Sequence, residues 1–178
     1  MLRSRRSWWK SSPLERAFRF RSDREKPRES GRQLMDSDGL FVYGSLRGGG
    51  SRHAWLKRTN PLGHTRAYAS GRLFHLPESG SAAMVSGAIP GSLPPGPGWV
   101  VGEFVGYEDE SDLESALENL DQLEGVAEGL FERKMVPVLL ESGQTYAAWA
   151  YVFPLERLPR LEREGVELPD GDWAEYLQ

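Results

Sequence analysis

Residues 40–50 read LFVYGSLRGGG, and the rest of the chain can be ordered outward from them. Four consecutive apolar or aromatic residues, Leu40 to Tyr43, precede a glycine, which is the pattern of a buried strand. The strand then breaks into small, flexible residues with one arginine, Arg47. Gly44 lets a ligand approach the main chain closely, and N–H groups at such a turn form a concavity for an anion such as a carboxylate. A plain tight turn after a strand reads the same way, and the residues alone leave both open.

Phosphate chemistry is not favoured at this turn. After Gly44 the chain offers Gly48, Gly49, Gly50 and Ser51 without the lysine of a P-loop, and His53 stands where the dinucleotide pattern needs its third glycine. Ser45 lacks the G-x-S-x-G frame of a nucleophile elbow.

Downstream, SRHAWLKRT supports a short helix at most. HTRAYASGRLFHL alternates loosely and predicts a strand bent or bulged near Gly71. Residues 77–98 are dense in Pro and Gly and predict an irregular excursion. WVVGEFVGYE at 99–108 resumes strand character, and SDLESALENLDQLEG is the clearest helix. Ser111 and Glu114 read as a capping box. Leu113, Ala116, Leu117, Leu120 and Leu123 form one apolar stripe, and Gly125 supplies a stop, so the helix ends at Glu124. KMVPVLL and TYAAWAYVF read as two strands joined by an ESGQ hairpin turn. The last residues are acidic and broken by proline, with Trp173 and Tyr176 as anchors on the body. Few helices, several antiparallel candidates and no βαβ rhythm predict an α+β fold with a small curved sheet or barrel.

The chain has 178 residues, no cysteine and no run of about 18 apolar residues, so disulfides, thiol nucleophiles and membrane-spanning helices are excluded. Residues 1–34 carry 11 Lys+Arg against 4 Asp+Glu, whereas the remainder carries 11 against 22. An extension over 1–38 that does not fold, with Met35 as an alternative start, is the expected reading; an organelle transit peptide and a nucleic-acid tether are the alternatives. The globular domain is expected over 39–178, in the cytoplasm. His53, His64 and His75 lie in separate segments without metal-ligand spacing, so no metal is predicted.

Glu124 is the unusual carboxylate. It sits at a helix C-terminus, where the macrodipole disfavours negative charge, and burial there would raise its pKa toward the range useful for proton transfer. A solvated helix-end glutamate has the same local sequence. Asp121, one turn earlier, is a weaker alternative base.

VYGSL at the first strand, VVGEFVGYE before the helix, LDQLEGV at its end, then FERKMVPV and AWAYVF, together resemble the gamma-glutamylcyclotransferase-like family, which includes the AIG2-like proteins. The resemblance covers Leu40 to Phe153, with DGDWAEY similar to a tail in some members. Order and spacing carry it, since no single motif is strong. It implies a small mixed β-barrel with flanking helices, no cofactor, and a small-molecule γ-glutamyl substrate as partner. It also implies a reaction in which the α-amine of a γ-glutamyl amide attacks the γ-carbonyl, releasing 5-oxoproline and an amine or amino acid. By position, Tyr43, Gly44, Ser45 and Leu46 become the loop that holds the glutamyl head group, and Glu124 the catalytic glutamate. Tyr151 keeps a tyrosine position, as either an accessory hydroxyl or a core residue. Phe131 stands where many members have tyrosine, so one hydroxyl near the carboxylate is missing. A non-catalytic binding module on the same fold is the rival expectation.

Overall fold

The computed structural model describes residues 39–177, so the basic extension expected over 1–38 lies outside the described residues. Five strands form a closed mixed barrel. They are β1 (Gly39–Val42), β2 (Gly63–Leu76), β4 (Trp99–Gly106), β5 (Glu132–Leu140) and β6 (Thr145–Val152), and the ring runs β2-β4-β1-β6-β5 and back to β2. Only β1 and β6 pair in parallel, Leu40 opposite Trp149; the other contacts of the ring are antiparallel. The expected α+β barrel is therefore what forms.

The long strand β2 closes the ring and then leaves it. Its first half pairs β4 from Gly63 to Ser70, and Ala67 to Ala69 also pair β5. From Gly71 onward the same strand pairs β3 (Ser81–Ser86) on one side and β7 (Val166–Leu168) on the other. The bend anticipated near Gly71 is this change of sheet, marked by the Ser70 hydroxyl donating to the Gly87 carbonyl at 2.9 Å.

Helix α2 (Glu110–Leu123) packs on the barrel by its apolar stripe. Leu113, Ala116, Leu117 and Leu120 are buried against Leu40, Val42, Leu46, Val105, Tyr107 and Tyr151, with Leu123 half-buried at the margin. The capping box does not form. Asp109, with extended backbone, is the N-cap, so Ser111 already lies in the first turn and cannot reach back to the free amides. The helix stops as predicted: Gly125 adopts a φ of 64°, its N–H bonds the Gln122 carbonyl, and the Val126 N–H bonds that of Asp121 at 2.9 Å. These two bonds are the Schellman closure, which needs a residue free to be left-handed.

Two stretches carry more structure than their sequence suggests. The Pro/Gly-rich segment contains β3, a six-residue strand of small and apolar residues paired to β2 through a tight turn after Leu76. The C-terminal segment holds a 3₁₀ turn (Leu155–Arg157), α3 (Leu158–Glu164), β7 and α4 (Trp173–Tyr176). Leu161 of α3 joins Phe74, Ala83, Val85 and Phe153 in a second core cluster. Trp173 is a buried anchor, its indole N–H donating to His75 Nδ1 at 3.2 Å, but Tyr176 only lays its exposed ring beside His75. The ESGQ turn and the helix α1 (His53–Lys57) match their readings.

Leu120 is 1% exposed and sits one turn before Glu124. Leu120→Ala should lower stability by about 3 kcal/mol through lost burial and the cavity left behind, seen as a lower urea midpoint with unchanged slope.

Candidate functional site

The turn after β1 is built in two closed steps. The Arg47 N–H returns to the Gly44 carbonyl at 3.0 Å and the Gly50 N–H to that of Arg47 at 2.8 Å; the Arg52 N–H then donates to the Ser45 carbonyl at 2.9 Å. Closing a four-residue turn across its ends leaves the two central amides without a turn partner. Among the described residues the N–H groups of Ser45 and Leu46 accordingly have no acceptor. Gly44 faces Ala82 of β3 so closely that an added Cβ would stand 3.1 Å from the alanine methyl.

This turn forms one wall of a cleft that opens to solvent. Tyr43, Gly44, Ser45, Leu46, Glu124 and Tyr151 all line it, so tertiary structure brings together the residues of the turn, the helix-end glutamate and the accessory tyrosine, though not Asp121. Arg52, Ser81 and Ala82 line it as well and were not singled out. Arg52 precedes the short helix α1 without any local signature of its own, and Ser81 and Ala82 sit in a strand hidden by its Pro- and Gly-rich surroundings.

Glu124 is the C-cap of α2, held by its own N–H to the Leu120 carbonyl at 2.8 Å and by the Schellman closure that follows. Its side chain is 16% exposed, and Arg52 Nη1 lies 4.0 Å from its Oε1. Burial raises its carboxyl above the usual carboxylate range, and the Arg52 charge partly offsets that rise.

Two tyrosines brace the floor. The Tyr43 hydroxyl donates to the Tyr151 carbonyl at 2.6 Å and accepts from the Met84 N–H at 3.3 Å, bolting β1 to β6 and β3. Burial first, and the nearby Glu124 charge second, push the Tyr43 phenol far above its usual range, so it stays a neutral donor. The Tyr151 hydroxyl donates toward Asp121 Oδ1 at 2.8 Å, with the Leu117 carbonyl at 3.1 Å as a second acceptor. Burial, then the hydrogen bond to Asp121, raises this phenol too. The other Asp121 oxygen pairs with Arg133 Nη1 at 3.1 Å. Asp121, the weaker candidate base, is thus engaged on both oxygens and is not among the residues lining the cleft. Phe131 is also absent from that lining: its half-buried ring packs edge-on against Phe153 at 6.0 Å, between the two core clusters.

The C-terminal segment steadies the turn from behind. Asp172 Oδ1 accepts from Arg47 Nη1 at 2.5 Å and from the Ala174 N–H at 3.0 Å, capping α4, while Arg66 lies 3.7 Å from Oδ2. The His53 Nδ1, 3.2 Å from the Leu46 carbonyl, and the Glu103 carboxylate, which accepts the Gly48 N–H at 2.9 Å, hold its other side.

A small mixed barrel thus carries a cleft lined by a buried carboxylate and by a turn whose two central amides have no acceptor among the described residues. The profile of the family described as Gamma-glutamyl cyclotransferase, AIG2-like, matches residues 40–175, and the chain belongs to that family. It is 30% identical over 138 residues to a Methanocaldococcus jannaschii protein assigned as a gamma-glutamylcyclotransferase, covering 77% of this chain and 96% of that one. It is 29% identical over 142 residues to the gamma-L-glutamyl-butirosin B gamma-glutamyl cyclotransferase of Niallia circulans, covering 77% and 76%. Among solved structures, YkqA from Bacillus subtilis shares the fold at a TM-score of 0.52 and 21% identity; the match covers 79% of this chain and 40% of that one. The uropathogenic Escherichia coli protein c4763 does so at 0.50 and 15%, covering 80% and 97%.

Side-chain exposure is 12% for Arg47 and 6% for Asp172, so removing one partner strands a buried charge. Asp172→Ala should lower stability by about 3 kcal/mol, and Asp172→Asn by less, because its amide oxygen still accepts from Arg47 and Ala174; chemical denaturation of both variants checks this.

Proposed function

We propose that the protein cyclises γ-glutamyl amides to 5-oxoproline, releasing the amine or amino acid from the γ-carbonyl. The observation that carries this is the placement of Glu124, buried and raised in pKa, in one cleft with the amides of Ser45 and Leu46, which have no acceptor among the described residues. The family and the named relatives support the same class of activity.

Each part has a physical task. The turn over Tyr43, Gly44, Ser45 and Leu46 holds the glutamyl head group, its amides pairing with the α-carboxylate as charge-assisted donors. Held in a folded conformation, the α-amine lies against its own γ-carbonyl, and orientation supplies much of the rate; effective molarities in such reactions reach on the order of 10⁵ M. The amine arrives mostly protonated and must lose that proton before it can attack. Glu124 takes that proton before attack, the nitrogen gives up a second one as the new C–N bond forms, and the leaving nitrogen gains two, the first from Glu124 as the old C–N bond breaks and the second on release as an ammonium. No net proton, electron or co-reactant is required. Tyr43 stays protonated throughout and fixes the floor against which the glutamyl chain packs.

The raised carboxyl sets the pH behaviour. Activity needs ionised Glu124 at the start of the cycle, so the acidic limb of the rate profile should fall above the usual carboxylate range. The folded-state pKa is the higher one, so the folded chain binds this proton more tightly than the unfolded chain. The stabilising contribution is full below the ordinary carboxylate range and is lost as pH rises through the raised value.

Release of 5-oxoproline from a panel of γ-glutamyl amino acids, γ-glutamyl amines and Nε-(γ-glutamyl)-lysine tests the reaction. The natural chain should turn over at least one member, and Glu124→Gln should lower kcat by about 100-fold or more. At neutral pH the same variant should be no less stable than the parent, and its relative stability should grow as pH rises through the window above the carboxylate range. Ligand binding without product from any member would favour the non-catalytic module instead.

A further inference from the structure

The cleft has a second anion-binding element. Arg52 is the one cation among the described residues that line it. Its position is fixed to the turn, because its backbone N–H donates to the Ser45 carbonyl at 2.9 Å. Its side chain is 44% exposed, and among the described residues no acceptor lies within hydrogen-bond distance, its ion-pair partner being Glu124 at 4.0 Å. The planar fork of donors that makes arginine suited to bidentate pairing with a carboxylate therefore has no hydrogen-bonded acceptor among the described residues.

We infer that Arg52 is a specificity residue that binds a carboxylate on the leaving group, so that the preferred substrates are γ-glutamyl amides of α-amino acids. This rests on the cyclisation reading of the site. Glu124 must touch the leaving nitrogen to protonate it, at about 3 Å. In an α-amino acid the carboxyl carbon lies two bonds from that nitrogen, about 2.5 Å away. A carboxylate so placed comes within reach of a guanidinium that stands 4.0 Å from Glu124. A simple alkylamine offers nothing there, and the carboxylate of an Nε-linked lysine is held off by its four-carbon stem.

Charge agrees with this placement. A γ-glutamyl amino acid carries two carboxylates and one ammonium, whereas a γ-glutamyl alkylamine carries one of each. The cleft presents two separate anion sites, the amides of Ser45 and Leu46 and the guanidinium of Arg52, beside one carboxylate, Glu124. Two anion sites and one cation site match the first substrate and leave Arg52 without a partner in the second.

The test compares γ-glutamyl-alanine with γ-glutamyl-ethylamine, which differ only by that carboxylate. The parent should favour the alanine substrate in kcat/KM by about 10- to 100-fold, as expected for a hydrogen bond between charged groups. In Arg52→Gln the ratio should fall to near unity, mainly through KM, and Arg52→Lys should restore part of it. Equal losses on both substrates would assign Arg52 to the α-carboxylate of the head group or to the ionisation of Glu124, and would overturn the inference; so would a ratio unchanged by Arg52→Gln. Equilibrium binding of both compounds to Glu124→Gln, with and without Arg52→Gln, separates this failure from that of the reaction. A carboxylate preference in binding that Arg52→Gln abolishes, without turnover by the parent, keeps the carboxylate site at Arg52 and removes the cyclisation, and with it the leaving-group role. Turnover without any preference does the reverse, and binding of neither compound ends both.

Discussion

The packing of the apolar face of α2 on β1 is the contact on which the site depends. Leu113, Ala116, Leu117 and Leu120 share one core with Leu40, Val42 and Leu46, and the residue that caps the helix lines the same cleft as the turn after the strand. Leu46 belongs both to this core and to the cleft wall, which makes turn position and helix position a single variable. The Schellman closure at Gly125 then decides where the backbone leaves the helix and hence where the Glu124 carboxylate points. Close-packed interiors yield little to small shifts, so a carboxylate held this way keeps its geometry without a dedicated hydrogen bond.

Around that contact the polar groups are arranged so that, among the described residues, one carboxylate lines the cleft. Tyr151 and Arg133 occupy Asp121, and Asp172 is occupied by Arg47 and the cap of α4. Among the described residues Glu124 is the carboxylate that lines the cleft, with Arg52 too far for a hydrogen bond. Burial raises it and a single exposed cation tempers the rise, which leaves a group able to give and take a proton.

The barrel gives this arrangement its rigidity. β1 is only four residues long, but it pairs on both edges, with β4 antiparallel and β6 parallel, and its end is fixed by the Tyr43 hydroxyl bridging to β6 and β3. The departure of β2 from the ring after Ser70 brings β3 past the turn, so Ser81 and Ala82 complete the cleft from a strand outside the barrel. The C-terminal segment is held on the same extension of β2 by β7 and by Arg72, which forks onto Glu167 with both contacts at 2.7 Å.

The sequence by itself determined the elements whose signals are local. An apolar run ending in Gly44 defines β1 and its turn, the spacing of Leu113 to Leu123 defines α2, and Gly125 defines its stop, because each follows from strand burial, helical period or backbone freedom within a few residues. The carboxylate at that stop was legible for the same reason. The capping box was misread because Ser111 and Asp109 both satisfy the composition rule, and only the backbone path into the helix selects Asp109 as the cap. Strand β3, the three-residue β7 and the short α3 were not legible, since none is long enough to show a period and each is held by partners distant in sequence. Arg52 was silent for a similar reason: an exposed arginine before a short helix has no local signature. Only the closure of the barrel places it 4.0 Å from Glu124, because the distance between two charges in different segments is set by the packing between them.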